Sequence, residues 1–206
     1  MEEKTRVFVI HGGNTFRTEA DYVLFLKTRS ISVPTKPKWY SDWFKSALGE
    51  KFVLILPRMP LQDNAKYAEW KIHFERFFPY LKDGIILIGS SLGGIFLAKY
   101  LSENKFPKRI LSTYLICQPF DNTIPSEELV GGFKLKSDLS LLEQNAGKLT
   151  LLFSKNDDVV PVTHAKKYRK KLENAKIMVY NHVPGHFLIT EFPEIVKMIK
   201  ADVKRT

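Results

Sequence analysis

The chain has 206 residues, of which 44% are hydrophobic, so it can bury one sizeable core but is too short for two comfortable domains. Its formal charge of +10 would suit a polyanionic partner. However, the basic residues are dispersed over helix-like segments, and no zinc-finger spacing, basic zipper or aromatic RNA-binding signature accompanies them. We therefore expect a single domain spanning residues 1–206 and no nucleic-acid partner.

The expected compartment follows from the apolar segments and from the single cysteine. The apolar stretch that ends at His11 is too short for a secretory signal or a membrane span, and no later stretch is long enough. Cys117 has no second cysteine with which to form an intrachain disulfide, and its place at the end of an apolar run predicts a buried, reduced thiol. We expect a cytoplasmic protein without a membrane partner.

Strand-like runs alternate with amphipathic segments along the chain. The runs are Val7–Ile10, Phe52–Leu56, Ile85–Gly89, Thr113–Cys117, Leu149–Phe153 and Ile177–Tyr180. This alternation is typical of an α/β fold in which helices cover both faces of a mostly parallel sheet, here of about six strands. The prediction is thus a three-layer α-β-α sandwich.

Two segments show clear helical periodicity. Within residues 63–82, four aromatic side chains recur at helical spacing and predict a face that packs into the core, namely Trp70, Phe74, Phe77 and Phe78. The last helix is predicted to begin between Thr190 and Pro193, and it should bury Ile195, Val196, Ile199 and Val203.

Two irregular stretches leave the expected carboxyl edge of the sheet, where open parallel sheets bind ligands. Residues 27–38 contain Pro34 and Pro37, and residues 118–132 contain two prolines and the pair Gly131–Gly132. We expect both stretches to wall a pocket, with idle surface loops as the alternative.

A GxSxG pattern lies between the third strand-like run and a helix-like segment. A serine at such a strand-to-helix turn has a strained backbone and an exposed hydroxyl, and only very small residues fit two positions before and after it. Ser91 has Gly89 and Gly93 in those positions, whereas Ser90 has Ile88 two residues before it. The pattern therefore predicts Ser91 as the nucleophile.

A serine hydroxyl needs a base that takes its proton and a third group that orients this base. Acidic residues follow the fifth strand-like run and histidines follow the sixth, which gives the chain order of α/β-hydrolases. We favour Asp157 over its neighbour Asp158 as the acid, with Asp121 as a more distant alternative. His186, between Gly185 and an apolar phenylalanine, is predicted to be the base, and His182 is the alternative.

The developing oxyanion needs preset hydrogen-bond donors. We expect one to be the N–H of Leu92, which follows the nucleophile, and the other to be that of Gly13, with Asn14 as second choice. Residues 11–14, which follow the first strand-like run, form what we call the oxyanion loop, and His11 is expected to have a structural role beneath it. Candidate residues of an apolar acyl pocket are Asn14, Phe16, Phe120 and Phe187, although core packing explains the phenylalanines about as well.

No metal or cofactor is expected. His182 and His186 are four residues apart, but Pro184 and Gly185 between them oppose the helix that would put both on one face, and no HExxH glutamate is present. The glycine turns match neither GxGxxG nor a Walker loop. His73 and His164 are predicted to be surface residues.

With these motifs in place, the chain resembles small serine hydrolases of the α/β-hydrolase fold, similar to the family that includes retinoblastoma-binding protein 9 and the bacterial YdeN proteins. The resemblance rests on VFVIHGG at 7–13, LPRMPLQDNAKYAEW at 56–70, LIGSSLGGIFLAKYL at 87–101, SKNDDVVP at 154–161 and GHFL at 185–188. It implies a sheet without a large cap domain, a triad at Ser91, Asp157 and His186, and esterase-like or peptidase-like activity on small substrates. Residues 18–36 are an insertion relative to the family, and our hypothesis for their role is that they form a lid.

The predicted function is hydrolysis of a small ester, thioester or amide through an acyl-enzyme intermediate. An acyltransferase would use the same residues. The competing hypothesis is a protein-binding module on a hydrolase scaffold, since fold does not fix function. That hypothesis predicts His186 turned away from Ser91 and an exposed apolar patch. The sequence gives no oligomeric state.

Overall fold

The computed structural model describes residues 4–31, 33, 37–125 and 127–204. Within these ranges six strands form one sheet in the order β2-β1-β3-β4-β5-β6, and each neighbouring pair is parallel. The strands are β1 Thr5–Ile10, β2 Phe52–Ile55, β3 Ile85–Ser90, β4 Ile110–Ile116, β5 Lys148–Ser154 and β6 Lys176–Tyr180. The predicted parallel sheet is confirmed.

Seven α-helices accompany the sheet in the described ranges. They are α1 Glu19–Thr28, α2 Asp42–Leu48, α3 Tyr67–Glu75, α4 Leu92–Glu103, α5 Ser140–Asn145, α6 Thr163–Arg169 and α7 Pro193–Lys204. In the part of the chain that the structure describes, none of the helices has both the length and the apolarity needed to cross a bilayer.

Successive strand residues face opposite sides of the sheet and supply two separate cores. Phe8 and Leu87 pack on one side with side chains of α3, α4, α5 and α6. Val7 and Ile86 pack on the other side with side chains of α2 and α7. Both faces are therefore buried, as expected for parallel strands, and the three-layer sandwich is confirmed.

The segment predicted as one helix over residues 63–82 is divided. A 3-10 turn at Gln62–Asn64 precedes α3, and a second one at Phe78–Tyr80 follows it. Pro79 lies in the second turn and has no N–H that could donate to the Glu75 carbonyl four residues earlier, so it opposes continuation of α3. The predicted face nevertheless packs as expected, because Trp70 and Phe74 are fully buried and the other two phenylalanines pack against the same core.

The other predicted helix begins at Pro193 and buries three of its four expected apolar residues, while Val203 packs half-buried against the same core. The insertion at 18–36 forms α1, which has no buried residue and begins with a capping box between Thr18 and Asp21. The rest of that expectation, at residues 32 and 34–36, lies outside the described residues.

Candidate active site

Ser91 lies in a sharp turn between β3 and α4, with backbone angles of φ 54° and ψ −119°. A positive φ is costly for a residue other than glycine and is maintained only where the surroundings enforce it. A Cβ on Gly89 would lie 2.4 Å from the Gly93 carbonyl oxygen, and one on Gly93 would lie 2.3 Å from that of Ile10. The backbone is thus packed tightly on both sides of Ser91, as the pattern requires.

Ser90 has a different environment from its neighbour. It is the last residue of β3, it is buried, and its Oγ lies 4.0 Å from the Cys117 sulfur. Ser91, by contrast, is half-buried and lines a small pocket. The turn therefore places Ser91 at the pocket and buries Ser90.

Asp157 and His186, the acid and the base that the chain order predicts, lie within hydrogen-bond distance of each other. His186 Nδ1 lies 2.8 Å from Asp157 Oδ2 and 3.0 Å from Oδ1. The backbone N–H groups of Val159 and Val160 donate to Asp157 Oδ1 at 2.9 and 2.8 Å. Because these bonds fix the buried carboxylate, the carboxylate in turn fixes the orientation of the imidazole ring.

The alternative acids and base have other neighbours. Asp121 forms an ion pair with Lys167 at 2.7 Å, and Asp158 makes no hydrogen bond to His186 within the described residues. His182 is exposed and pairs with Glu194 at 2.9 Å. Gly185 has a positive φ of 48°, and this left-handed conformation reverses the direction of the chain immediately before His186.

The second nitrogen of His186 contacts a residue to which the sequence analysis gave no catalytic role. Nε2 lies 3.6 Å from the sulfur of Cys117, which is fully buried directly after β4 and has a positive φ of 44°. Within the described residues Ser91 Oγ makes no hydrogen bond to His186. Only the position of Cys117 at the carboxyl edge of the sheet could have indicated this contact.

The electrostatic environment of His186 follows from these two contacts. Burial alone lowers the pKa of the imidazole, but the Cys117 sulfur and the Asp157 carboxylate outweigh it and raise this pKa well above its usual value. In this arrangement His186 favours its protonated form and pairs with the sulfur.

Cys117, Asp157 and His186 also have a composition that could hold a metal ion. The Cys117 sulfur lies 3.6 Å from Nε2, the Asp157 carboxylate lies 2.8 Å from Nδ1, and the three ligand atoms lie within 4.8 Å of one another. The carboxylate already accepts from the N–H groups of Val159 and Val160 and from the ring. The expectation of no metal stays a prediction.

The two predicted oxyanion donors lie beside Ser91. Gly13, Ser91 and Leu92 line the same small pocket, and neither Gly13 N–H nor Leu92 N–H donates a hydrogen bond within the described residues. The N–H of Asn14, the second choice, is already used, because it donates to the Gln62 carbonyl at 2.9 Å. Two free N–H groups are thus available beside Ser91.

His11 supports this loop from below, as expected. Its Nδ1 donates to the Gly12 carbonyl at 2.6 Å, and its Nε2 accepts from Met59 N–H at 2.9 Å. Burial lowers the pKa of the His11 imidazole, in keeping with this neutral form. His164, predicted to be a surface residue, is instead fully buried, where its Nδ1 accepts from Phe120 N–H at 2.9 Å. The hydrogen bonds of its ring explain why His164 is buried although it lies in a charged segment.

A cavity of about 920 Å³ lies between the oxyanion loop, α1 and the second irregular stretch. Asn14 and Phe16 line it, as predicted for substrate-binding residues. Phe187 instead packs in the core with Tyr180 and Phe192, and Phe120 packs against Tyr168. Neither of these two phenylalanines lines the cavity.

The expected pocket walls contribute unequally. Five residues of the second stretch supply one wall, namely Asn122, Ile124, Pro125, Glu127 and Glu128. Of the described residues between 27 and 38, only Thr28 lines the cavity, and other residues of α1 line the opposite wall with it.

Comparison with known proteins identifies the fold. No family model matches the chain, and no curated protein matches it by sequence. Among solved structures, YdeN from B. subtilis superposes with a TM-score of 0.76 at 18% identity, covering 98% of this chain and all of that one. A metagenome-derived lipolytic enzyme, described with the pair LipS and LipT, gives 0.65 at 14% identity, covering 100% and 95%.

A naproxen esterase from Bacillus subtilis gives a TM-score of 0.62 at 12% identity, covering 99% of this chain and 85% of that one. At such identities the likeness concerns the fold alone. The chain has the fold of a small α/β-hydrolase that resembles YdeN, with no large cap domain evident.

Proposed function

We propose that the protein is a serine hydrolase in which Ser91 attacks the carbonyl carbon of a small ester, thioester or amide. His186 accepts the hydroxyl proton and then gives it to the leaving group, which departs as an acyl-enzyme forms on Ser91 Oγ. A water molecule, deprotonated by the same imidazole, releases the acid and restores the serine. Asp157 holds the ring and stabilises its protonated form.

The observation that carries the proposal is the Asp157–His186 pair at 2.8 Å, at the same sheet edge as the strained turn that presents Ser91. The free N–H groups of Gly13 and Leu92 add donors for the oxyanion in the pocket that Ser91 lines. Losing one such donor typically lowers the rate by about 100- to 1,000-fold.

The mechanism requires His186 Nε2 to leave the Cys117 sulfur and to reach the Ser91 hydroxyl. Catalytic hydrogen bonds are often long in ligand-free enzymes and tighten when substrate binds. Substrate in the pocket would also exclude water, which strengthens the interaction of the imidazole with the reacting hydroxyl. We keep the cytoplasm as the proposed compartment, because a single unpaired thiol is typical of a reducing environment.

Labelling with a fluorophosphonate probe tests the proposal. We expect the wild-type protein and Ser90→Ala to be labelled and Ser91→Ala to remain unlabelled. Ser90→Ala is a matched control because it removes the adjacent hydroxyl, which is buried. Equal labelling of the wild type and Ser91→Ala, or no labelling of either, would contradict the assignment.

A second candidate function is the protein-binding module. Two observations favour it: Ser91 and His186 share no hydrogen bond in the described residues, and four exposed large apolar side chains lie within residues 24–33. They are Leu24, Leu26, Ile31 and Val33, with exposures of 60%, 42%, 84% and 88%. This candidate predicts that the wild type neither reacts with the probe nor hydrolyses nitrophenyl esters of graded chain length.

A further inference from the structure

The carboxylate of Glu127 lies at the junction between the nucleophile pocket and the larger cavity. It lines the small pocket together with Ser91 and the two oxyanion residues, and it also lines the 920 Å³ cavity. Thr15, Ile124 and Glu128 line both spaces as well, so the two spaces share a wall. A substrate whose carbonyl lies at Ser91 would therefore extend past Glu127.

Three carboxylates line the cavity, and Glu127 differs from the other two. Glu128 pairs with Arg17 at 3.1 Å, and Asp21 caps the start of α1 through Thr18. Glu127 forms no ion pair within the described residues and accepts only one long hydrogen bond of 3.4 Å from the Asn14 side chain. Arg17, the cation on the cavity wall, is thus already engaged by Glu128.

A half-buried carboxylate without a countercharge costs free energy, because burial removes part of its hydration. Burial accordingly raises the pKa of Glu127, while the nearby His186 lowers it and Asp157 raises it further. Glu127 therefore interacts electrostatically with both members of the acid–base pair. The chain as a whole carries a charge of +10, so a carboxylate beside Ser91 that forms no ion pair within the described residues contrasts with the rest of the molecule.

The remainder of the cavity wall is partly apolar. Phe16 packs against Phe25 with ring centroids 5.0 Å apart, and both line the cavity together with Leu24, Ile124 and Pro125. The cavity thus combines an apolar surface with one carboxylate that forms no ion pair within the described residues and lies close to Ser91.

We propose that Glu127 binds a protonated amine of the substrate, so that the preferred substrates are acyl compounds that carry both an ammonium group and an apolar side chain. An ammonium supplies the missing countercharge and donates to the carboxylate, while the apolar side chain packs against the phenylalanines. Aminoacyl esters and amides have this chemistry. The inference rests on the proposed hydrolase function, whose substrate class it specifies.

The kinetic test uses two esters that differ only in the amine, leucine methyl ester and methyl 4-methylpentanoate, with acid release followed in a pH-stat. Glu127→Gln keeps the shape of the side chain and removes its charge. We expect it to lower kcat/KM for the amino ester about 10- to 100-fold more than for the other ester, as for loss of a charge-assisted hydrogen bond. The difference in intrinsic reactivity between the esters cancels when variant and wild type are compared.

Glu128→Gln is the matched control, because it removes the neighbouring carboxylate, which Arg17 already neutralises. It should change the preference for the amino ester by less than about threefold. The proposal is overturned if the wild type hydrolyses both esters and Glu127→Gln lowers their kcat/KM equally, or if Glu128→Gln changes the preference as much as Glu127→Gln does.

A binding measurement separates this inference from the proposed reaction. Calorimetric titration of Ser91→Ala with leucinamide and with 4-methylpentanamide needs no turnover. We expect only leucinamide to bind, and we expect its affinity to fall at least tenfold when Glu127→Gln is added. If that holds while Ser91 fails the labelling test, the cation site stands and the hydrolase proposal falls. Equal binding of the two amides overturns the cation site.

Discussion

The sulfur of Cys117 lies 3.6 Å from Nε2 of His186, the ring nitrogen that a serine nucleophile must reach. Asp157 holds the other ring nitrogen at 2.8 Å. The Cys117 sulfur and the Ser91 hydroxyl therefore compete for the same nitrogen. Which of them prevails depends on the charge of the imidazole and on what occupies the pocket.

Cys117→Ala should shift the acid limb of the pH–rate profile to lower pH. Burial lowers the pKa of His186, but the sulfur and Asp157 raise it more strongly, and the variant removes one of the two raising groups. A general base must be neutral, so activity rises as pH passes the pKa of His186 from below, and a lower pKa moves that rise to lower pH. We expect the midpoint of the acid limb of kcat/KM for a nitrophenyl ester to move to lower pH.

The same variant distinguishes the two nucleophiles. If Ser91 is the nucleophile, Cys117→Ala retains ester hydrolysis and fluorophosphonate labelling. Loss of hydrolysis in Cys117→Ala, with hydrolysis retained in Ser91→Ala, would instead identify the Cys117 thiol as the nucleophile. An unchanged acid limb would show that the sulfur does not set the pKa of His186.

Asp157→Asn should lower kcat by about 1,000- to 10,000-fold, in the range known for the corresponding change in serine proteases, because the amide no longer favours the required tautomer of His186. Asp158→Asn is the matched control, since it neutralises the adjacent carboxylate, which makes no hydrogen bond to the ring in the described structure. We expect that variant to stay within about threefold of the wild type, since its charge is not in contact with the imidazole. Initial rates with a nitrophenyl ester measure both, and equal losses in the two variants would contradict the choice of Asp157.

The fold was predictable because hydrophobic runs and amphipathic segments alternate along the chain, and each run became a strand of the sheet. The Ser91 turn was equally predictable, since its two glycines are required by backbone contacts of 2.3 and 2.4 Å. These features depend on local sequence, where residue size and periodicity determine the structure.

Contacts between distant segments were harder to predict. The Cys117–His186 contact joins residues 69 positions apart, and the Glu127 carboxylate reaches the nucleophile pocket from a stretch without regular structure. The sequence does not show whether Phe187 lines the pocket or packs in the core, because an apolar side chain in a loop suits both environments. Its packing against Phe192 assigns it to the core.

Gly93→Ala should destabilise the protein strongly. Its Cβ would lie 2.3 Å from the Ile10 carbonyl oxygen and 2.6 Å from that of His11, and backbone atoms of β1 and the oxyanion loop cannot move without disturbing both. Overpacking of this kind costs about 1 to 3 kcal/mol and more where the neighbours are rigid, so we expect a loss above about 3 kcal/mol. Urea denaturation provides the measurement.

Gly49→Ala serves as the comparison for this change. Gly49 has φ 86°, and a Cβ there would meet no atom within 4 Å, so the variant introduces backbone strain but no steric clash. The ψ of −178° at Gly49 places it in a region that glycine alone adopts readily, and we expect a loss of about 1 to 3 kcal/mol. A Gly93→Ala variant as stable as Gly49→Ala would contradict the close packing around the Ser91 turn.

Two buried tyrosines provide a test of hydrogen bonding on the face of the sheet that α7 covers. The Tyr114 hydroxyl donates to Asp202 of α7, which also pairs with Lys148 at 2.5 Å, whereas the Tyr180 hydroxyl has no hydrogen-bond partner within the described residues. Tyr114→Phe leaves the buried Asp202 carboxylate short of a donor and should lower the free energy of unfolding by about 1 to 3 kcal/mol. Tyr180→Phe removes an unsatisfied buried hydroxyl and should be neutral or slightly stabilising. Urea denaturation of both variants at neutral pH measures the difference, and equal losses would show that the Tyr114–Asp202 bond contributes nothing to stability.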